Sequence, residues 1–413
     1  MKKTVIIITL FNFLAAGIGF FTNVILARYF SYETYGRISL LLSLNAILIV
    51  FLQFGFQNGM VIFYNKETQK QGVDFNPLYK IFFVNRQYFK YLLFLGFPII
   101  IIFLVITNYL YSFSTTEKIF ILLAPLLLGV YTYFTTYYQT VGKWIKYNIL
   151  NTLYSLLKAI FLLAFFFVIY YIQKQQFTYN DYVLLFITYS IVLFIIGLLY
   201  SKKYIQIGEQ NKDWGKVLNK LVIPIGLSNL LVILIMRIDN ILIEYSLGIE
   251  KVAIYSAANS LAFVFPLFTG SIMKVLMKEI SKNSLAYLDK IFFYQKKYFI
   301  YLILSIIVVY FLSPYIITLI FGHKYIPSIP IFQILSIVYI GGIFFTPLES
   351  YFYTEAPKNI FILKISQFLI ILILGIIFVN VFNLKGMAFA IVLSRFFAWG
   401  YLYIKSKRIV RKS

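Results

Sequence analysis

The sequence predicts an all-α integral membrane protein of about 12 transmembrane helices, arranged as two parallel six-helix bundles. Three observations lead there. Long apolar segments recur along the 413 residues. The Lys and Arg between them fall mostly on one side. The two halves carry a faint repeat. Hydrophobic residues make up 61% of the chain and charged residues 12%, whereas an ordinary soluble protein has about 25% charged residues. A large water-soluble core is thereby excluded.

The apolar segments fall near 4–27, 36–64, 89–111, 119–142, 147–172, 181–200, 221–246, 251–275, 298–320, 330–354, 359–379 and 386–404. Each is close to the roughly 20 residues that a helix needs to cross a bilayer. Of the 37 Lys and Arg, 26 lie at the N-terminus, in alternate loops (65–90, 143–146, 201–220, 274–297 and 358) and in the C-terminal tail. The positive-inside rule then places both termini in the cytoplasm and the protein in the inner membrane, as a multi-pass protein. The net charge of +23 sits on those loops, so anionic membrane lipid is the expected partner and nucleic acid is not. Met1-Lys2-Lys3 and the following apolar run read as the first span. The run is too long for a signal peptide, and no small-residue cleavage site closes it.

The basic loop at 201–220, with Lys202, Lys203, Lys212, Asp213, Lys216 and Lys220, divides the chain. It predicts an N-terminal six-helix bundle over 1–205, a cytoplasmic linker over 206–220 and a C-terminal six-helix bundle over 221–413. Glu33-Thr34-Tyr35-Gly36-Arg37-Ile38-Ser39 aligns with Glu250-Lys251-Val252-Ala253-Ile254-Tyr255-Ser256 at an offset of 217, close to half the chain. Six spans return the chain to its starting side, so the halves share one orientation. Parallel repeats of this kind occur in secondary transporters, with the substrate site between them. The outer loops run only about 5–10 residues. That argues against a glycan polymerase or ligase, which needs a sizeable external loop for its catalytic residues.

Charges inside a membrane are costly, about 2.5–3.5 kcal/mol each on insertion scales, and so face a cavity or a partner. Arg237, Asn240 and Glu244 are spaced to share one helical face, with Asp239 turned away. Asn148, Asn151, Ser155 and Lys158 form a second stripe. Asn12, Ala16, Gly19 and Asn23 form a third, which helix packing by small residues also explains. Gly342, Thr346, Glu349 and Tyr353 form a fourth. Lys364 and Gln367 lie in span 11, where Lys364 is expected to snorkel to the interface. Arg395 in span 12 has Trp399 one turn on, within cation–π reach. The functional reading is a polar cavity for an anion such as a pyrophosphate, bound by Arg237, Lys158, Lys364 and Arg395. The alternative is pairing between helices, for example Arg237 with Glu244 or Glu349. Asp239, Glu244 and Glu349 are candidates for binding a coupling H⁺ or Na⁺, or for compensating nearby Arg.

Tyr131, Tyr133, Tyr137 and Tyr138 suit sugar stacking, but with 36 Tyr in the chain the interfacial aromatic belt is the favoured reading. Pro98, Pro125, Pro224, Pro266, Pro314 and Pro347 permit bends. There is no Cys and one His, His323, so thiolate and His-cluster metal sites are excluded and no cofactor is expected. No P-loop, GxSxG or catalytic constellation is found. The expected class is a secondary transporter and not an enzyme.

These residues resemble the polysaccharide (O-antigen and capsule type) flippases of the multidrug/oligosaccharidyl-lipid/polysaccharide superfamily. The resemblance covers nearly the whole chain. Its carriers are Asn23-Val24-Ile25-Leu26-Ala27-Arg28 with Glu33 to Leu40, then Arg237-Ile238-Asp239-Asn240 and Tyr255-Ser256-Ala257-Ala258. Leu319-Ile320-Phe321-Gly322-His323-Lys324-Tyr325 and Leu384-Lys385-Gly386-Met387-Ala388 complete it. Ala253 stands where many members have Gly. The resemblance implies a MATE-like architecture with a cationic central cavity in the bacterial inner membrane. It also implies movement of undecaprenyl-pyrophosphate-linked oligosaccharide to the outer leaflet by ion-coupled antiport, with glycan polymerase machinery as a further partner. A multidrug or organic-cation exporter on the same scaffold is the alternative, and a non-transporting component of a polymerase complex is the third reading.

Overall fold

The computed structural model describes residues 2–70, 78–111, 113–169, 176–266 and 284–412. All regular structure among the described residues is helical. In chain order the helices are α1 (Lys2–Tyr29), α2 (Tyr32–Gln53), α3 (Phe56–Lys70), α4 (Leu78–Tyr91), α5 (Phe97–Tyr111), α6 (Thr115–Thr140) and α7 (Trp144–Phe167). There follow α8 (Tyr179–Ser201), α9 (Lys212–Leu247), α10 (Ile249–Ala262), α11 (Ser284–Phe321), α12 (Ile329–Glu355) and α13 (Pro357–Lys412).

These helices map onto the twelve predicted spans. α2 and α3 make one span, broken where Phe54 and Gly55 take φ of 33° and 78°. A Cβ at Gly55 would lie 2.5 Å from the Gly226 nitrogen, so α9 crosses the break with no room for a side chain there. α4 and α5 make another span, continuous through a π-helical turn at Leu92–Gly96. α13 is two spans folded at Asn383, whose φ of 54° and ψ of −140° are not helical. Nine helical segments among the described residues are long and apolar enough to cross a membrane, with α13 counted as one and Phe13–Tyr29 falling just short. The predicted span 251–275 is described only as far as Pro266.

Three helices begin well before their predicted spans. α4 starts at Leu78, α9 at Lys212, within the stretch read as a linker, and α11 at Ser284. Lys, Glu, Leu and Tyr continue a helix as readily in water as in lipid. Hydropathy finds only the part that is apolar enough to sit in the bilayer.

The chain divides into two compact units: Met1–Thr22 with Leu41–Ile233, and Asn23–Leu40 with Leu234–Ser413. In the first unit, two reciprocal capping boxes fix helix starts, Ser114 with Glu117 at α6 and Thr178 with Asp181 at α8. Each satisfies two orphaned backbone donors. The Tyr179 hydroxyl also donates to Glu117 Oε1 at 2.5 Å.

The core of the first unit overturns the reading of the span-4 tyrosines. Tyr131, Tyr133 and Tyr137 are 0% exposed and Tyr138 is 5% exposed, so they form neither an interfacial belt nor a sugar-stacking surface. Tyr133 and Tyr137 both donate to Asn85 Oδ1 at 2.9 Å. The Asn85 amide donates in turn to the carbonyls of Tyr204 and Gln206 at 2.6 and 2.9 Å. Tyr131 and Tyr189 donate to the carbonyls of Leu150 and Tyr154, both at 2.6 Å. Buried hydroxyls need partners, and here the partners are carbonyls and one amide.

In the second unit, the α1–α2 turn packs against α10 and the end of α11. Arg28 Nε donates to the Ile320 carbonyl at 2.7 Å, and its guanidinium also reaches Leu319. Lys324 Nζ donates to the carbonyls of Arg28 and Phe30 at 2.9 and 2.8 Å. Each helix end thus receives a cation from the other at its negative, carbonyl-rich terminus. The Tyr325 hydroxyl adds a bond to the Ala27 carbonyl at 3.1 Å. His323 beside them is exposed.

Candidate functional site

The second unit gathers most of the polar residues singled out in the spans. α9 supplies Arg237, Asp239 and Asn240, α10 supplies Ser256 and Asn259, and α12 supplies Tyr339 and Glu349. The two arms of α13 supply Lys364 and Arg395. Asp239 is 2% exposed. Its carboxylate accepts from the Asn240 backbone N–H at 2.8 Å and from Asn259 Nδ2 at 3.2 Å. Tyr339 donates to Asn259 Oδ1 at 3.0 Å, and Ser256 to Asn240 Oδ1 at 3.2 Å. One acid is thus held by three helices. Arg237 lies in the electrostatic reach of Asp239 and Tyr339. Its Nε is buried and has no hydrogen-bond partner among the described residues.

A second cluster lies between α12 and α13. Lys364 Nζ is 3.8 Å from Glu349 Oε1, with the two side chains 11% and 16% exposed. Arg395 lies in the electrostatic reach of Lys364 and of Tyr353. Gln367, one turn beyond Lys364, is fully buried, and neither its amide nitrogen nor its oxygen has a partner among the described residues.

Several sequence expectations change at this level. Lys364 does not snorkel; it is buried and paired with Glu349. Position along a helix says how deep a residue lies in the membrane but not which side it faces, and Lys364 faces a neighbouring helix. Glu349 therefore pairs with Lys364, and Glu244 lies in the reach of Arg37. Arg237 pairs closely with neither Glu244 nor Glu349. The Trp399 ring stacks on Phe345, with centroids 4.6 Å apart.

The remaining candidates lie apart from this set. In the first unit, Lys158 on α7 sits 5.6 Å from the centre of the Phe186 ring. Asn151 and Ser155 are half-buried on the same helix. Asn23, in the second unit, is half-buried on α1. Asn12 lies outside the residues whose side chains are described. Sequence reasoning missed Asn259 and Tyr339, which hold Asp239. A polar Asn in span 8 was the available signal.

Removing one partner of a buried ion pair strands the other charge, at a cost of about 3–5 kcal/mol. Glu349→Gln is therefore expected to lower the thermal unfolding midpoint in detergent more than the double variant Glu349→Gln/Lys364→Gln does. Equal losses would mean that the pair is not coupled.

The fold is that of the solved MurJ and MATE transporters. A lipid II flippase, MurJ, in an inward closed conformation superposes with a TM-score of 0.70 at 18% identity, covering 97% of this chain and 87% of that one. An inward-facing multidrug resistance MATE family transporter gives 0.70 at 15% identity, covering 98% and 95%. An outward-facing MATE transporter gives 0.62 at 14% identity, covering 100% and 96%. A comparison with curated proteins found no match. Residues 1–282 match the family model described as polysaccharide biosynthesis protein. The chain belongs to that family, and it is a multi-pass membrane protein.

Proposed function

We propose that the chain is a flippase that moves undecaprenyl-pyrophosphate-linked oligosaccharide across the bacterial inner membrane by alternating access. The N-terminal bundle 1–205 and the C-terminal bundle 221–413, joined by 206–220, alternate access to the two leaflets, with both termini in the cytoplasm. An H⁺ or Na⁺ gradient drives the cycle. The observation that carries this reading is the cation-rich set of buried Lys364 with half-buried Arg237 and Arg395, in which the buried Arg237 Nε has no hydrogen-bond partner among the described residues. A pyrophosphate supplies the acceptor oxygens that such a guanidinium lacks. In the same unit Asn23 and Asn240 are the polar candidates, and in the first unit Lys158, Asn12, Asn151 and Ser155 are the further candidates. Asp239, Glu244 and Glu349 are the coupling residues, with Asp239 held ready by Asn259. Family membership supports a polysaccharide precursor as cargo, handed to glycan polymerase machinery. The protein carries out no covalent chemistry in this cycle.

The second reading, export of multidrug-type organic cations, rests on the fold likeness to MATE transporters. The excess of cations within the spans (Arg237, Lys158, Lys364 and Arg395) over acids (Asp239, Glu244 and Glu349) argues against it. To separate the two, the purified protein is reconstituted with labelled undecaprenyl-pyrophosphate oligosaccharide under an ion gradient, and the loss of label to an outside glycosidase is measured. Gradient-dependent exposure of the glycan is the expected result. Export of small organic cations with no movement of glycan would overturn the reading.

A further inference from the structure

The second unit contains an open groove of about 670 Å³ between α11, α12 and the second arm of α13. Its deep part is aromatic. Phe299 faces Phe344 at 6.2 Å, and Phe345 stacks on Trp399. Toward the other end, Phe292 meets Tyr403 edge-on at 5.5 Å. Two exposed lysines line the groove, Lys296 on α11 and Lys407 on α13, and Lys407 lies 4.7 Å from the centre of the Tyr403 ring. From Phe396 to Lys407 the helix rises about 16 Å, so the lining on that arm is long. Gly400 opens onto it: a Cβ there would meet nothing within 4 Å.

We infer that this groove is a binding site for one anionic phospholipid, with an acyl chain along the aromatic trough and the phosphate between Lys296 and Lys407. The chemistry of the walls selects the occupant. An apolar trough on a membrane helix bundle is filled by lipid chains. Two lysines in its lining give an anionic headgroup an advantage over a zwitterionic one. Lys407 stays over the Tyr403 ring and its ammonium projects past the apolar wall, as expected of a cation that reaches a headgroup while its stem lies on aromatic surface. The Trp399 wall stands one turn from Arg395, so a lipid seated here also braces the arm that carries that cation. This site is independent of the flippase reading, and its test needs no transport.

The chain has three Trp, so the double variant Trp144→Phe/Trp214→Phe leaves Trp399 as the sole indole fluorophore. In phosphatidylcholine vesicles, brominated phosphatidylglycerol is titrated and quenching of Trp399 is read against brominated phosphatidylcholine. Saturable quenching is expected, with an apparent affinity for the anionic lipid on the order of tenfold higher. Lys296→Gln/Lys407→Gln should abolish that preference but leave the quenching by contact. Gly400→Leu, which fills open space, should reduce quenching by both lipids without lowering the unfolding midpoint. Equal quenching by the two lipids, or a preference that survives loss of both lysines, would overturn the site. So would undecaprenyl phosphate relieving the quenching at a lower mole fraction than unbrominated phosphatidylglycerol, since the groove would then hold a polyprenyl chain.

Discussion

Gly36→Ala is expected to destabilise the protein by about 3 kcal/mol, the upper end for an overpacked core, although alanine is ordinarily the better residue in a helix. A Cβ at Gly36 would collide with the Ile249 carbonyl oxygen, approach the Ile249 carbonyl carbon to 3.0 Å and the Ala253 nitrogen to 3.4 Å. All three are backbone atoms of α10, so no side chain can rotate away. Relief requires α2 to retreat, and that strains the neighbouring bonds of Arg28, Lys324 and Tyr325 across the same turn. Gly17→Ala on α1 is the control. A Cβ there meets nothing within 4 Å, so the ordinary helix preference for alanine over glycine, about 1 kcal/mol, should appear as stabilisation. Unfolding midpoints in one detergent decide it. A Gly36→Ala variant as stable as Gly17→Ala would mean that α2 and α10 do not approach so closely.

That same contact shows what kind of information the sequence carries. Gly36 and Ala253 are separated by the 217 residues of the repeat offset. Two positions that the alignment pairs therefore touch. Aligning the segments shows that they are alike but not that they meet. Arg28, Gly36 and the Gly322-His323-Lys324-Tyr325 turn are legible as family motifs for the same reason. Their task, to cap helix ends 292 residues apart in sequence, is a tertiary fact. The spans are legible because lipid demands an unbroken apolar run, and that run is written locally.

The misreadings share a cause as well. Tyr133 and Tyr137 resemble belt residues because tyrosine is amphipathic, and an interface and a polar core satisfy its hydroxyl equally well. What decides between them is Asn85, which the apolar count leaves in an aqueous loop but which is 0% exposed. Lys364 resembles a snorkelling residue because only its depth along the helix is visible in sequence. Glu349, which keeps it inside, stands on another helix. Asp239 and Arg237 were legible as intramembrane charges, but Asn259 and Tyr339, which orient the acid, were not: Asn259 is one of several uncharged polar residues within the spans and Tyr339 one of 36 tyrosines.

Arg237→Glu is expected to reduce glycan movement in the vesicle assay by at least about 100-fold, the equivalent of the 3–5 kcal/mol attached to a stranded buried charge. The argument is one of sign. The native guanidinium lies beside the Asp239 carboxylate and keeps a buried Nε with no hydrogen-bond partner among the described residues. Glutamate at that position puts a second carboxylate near the first and repels an incoming pyrophosphate, so both the site and the substrate oppose it. Arg237→Lys keeps the charge but loses the planar fork, and should retain part of the rate with weaker apparent substrate affinity. Arg237→Gln separates charge from repulsion and should fall between the two. The ordering Arg, Lys, Gln, Glu in transport rate, with unfolding midpoints of the Lys and Gln variants near that of the parent, is what an anion ligand predicts. A purely structural arginine, paired only with Asp239, predicts instead that rate and stability fall together across the series, and that Asp239→Asn partly rescues Arg237→Gln by removing the stranded acid. Wild-type transport by Arg237→Glu would exclude both roles.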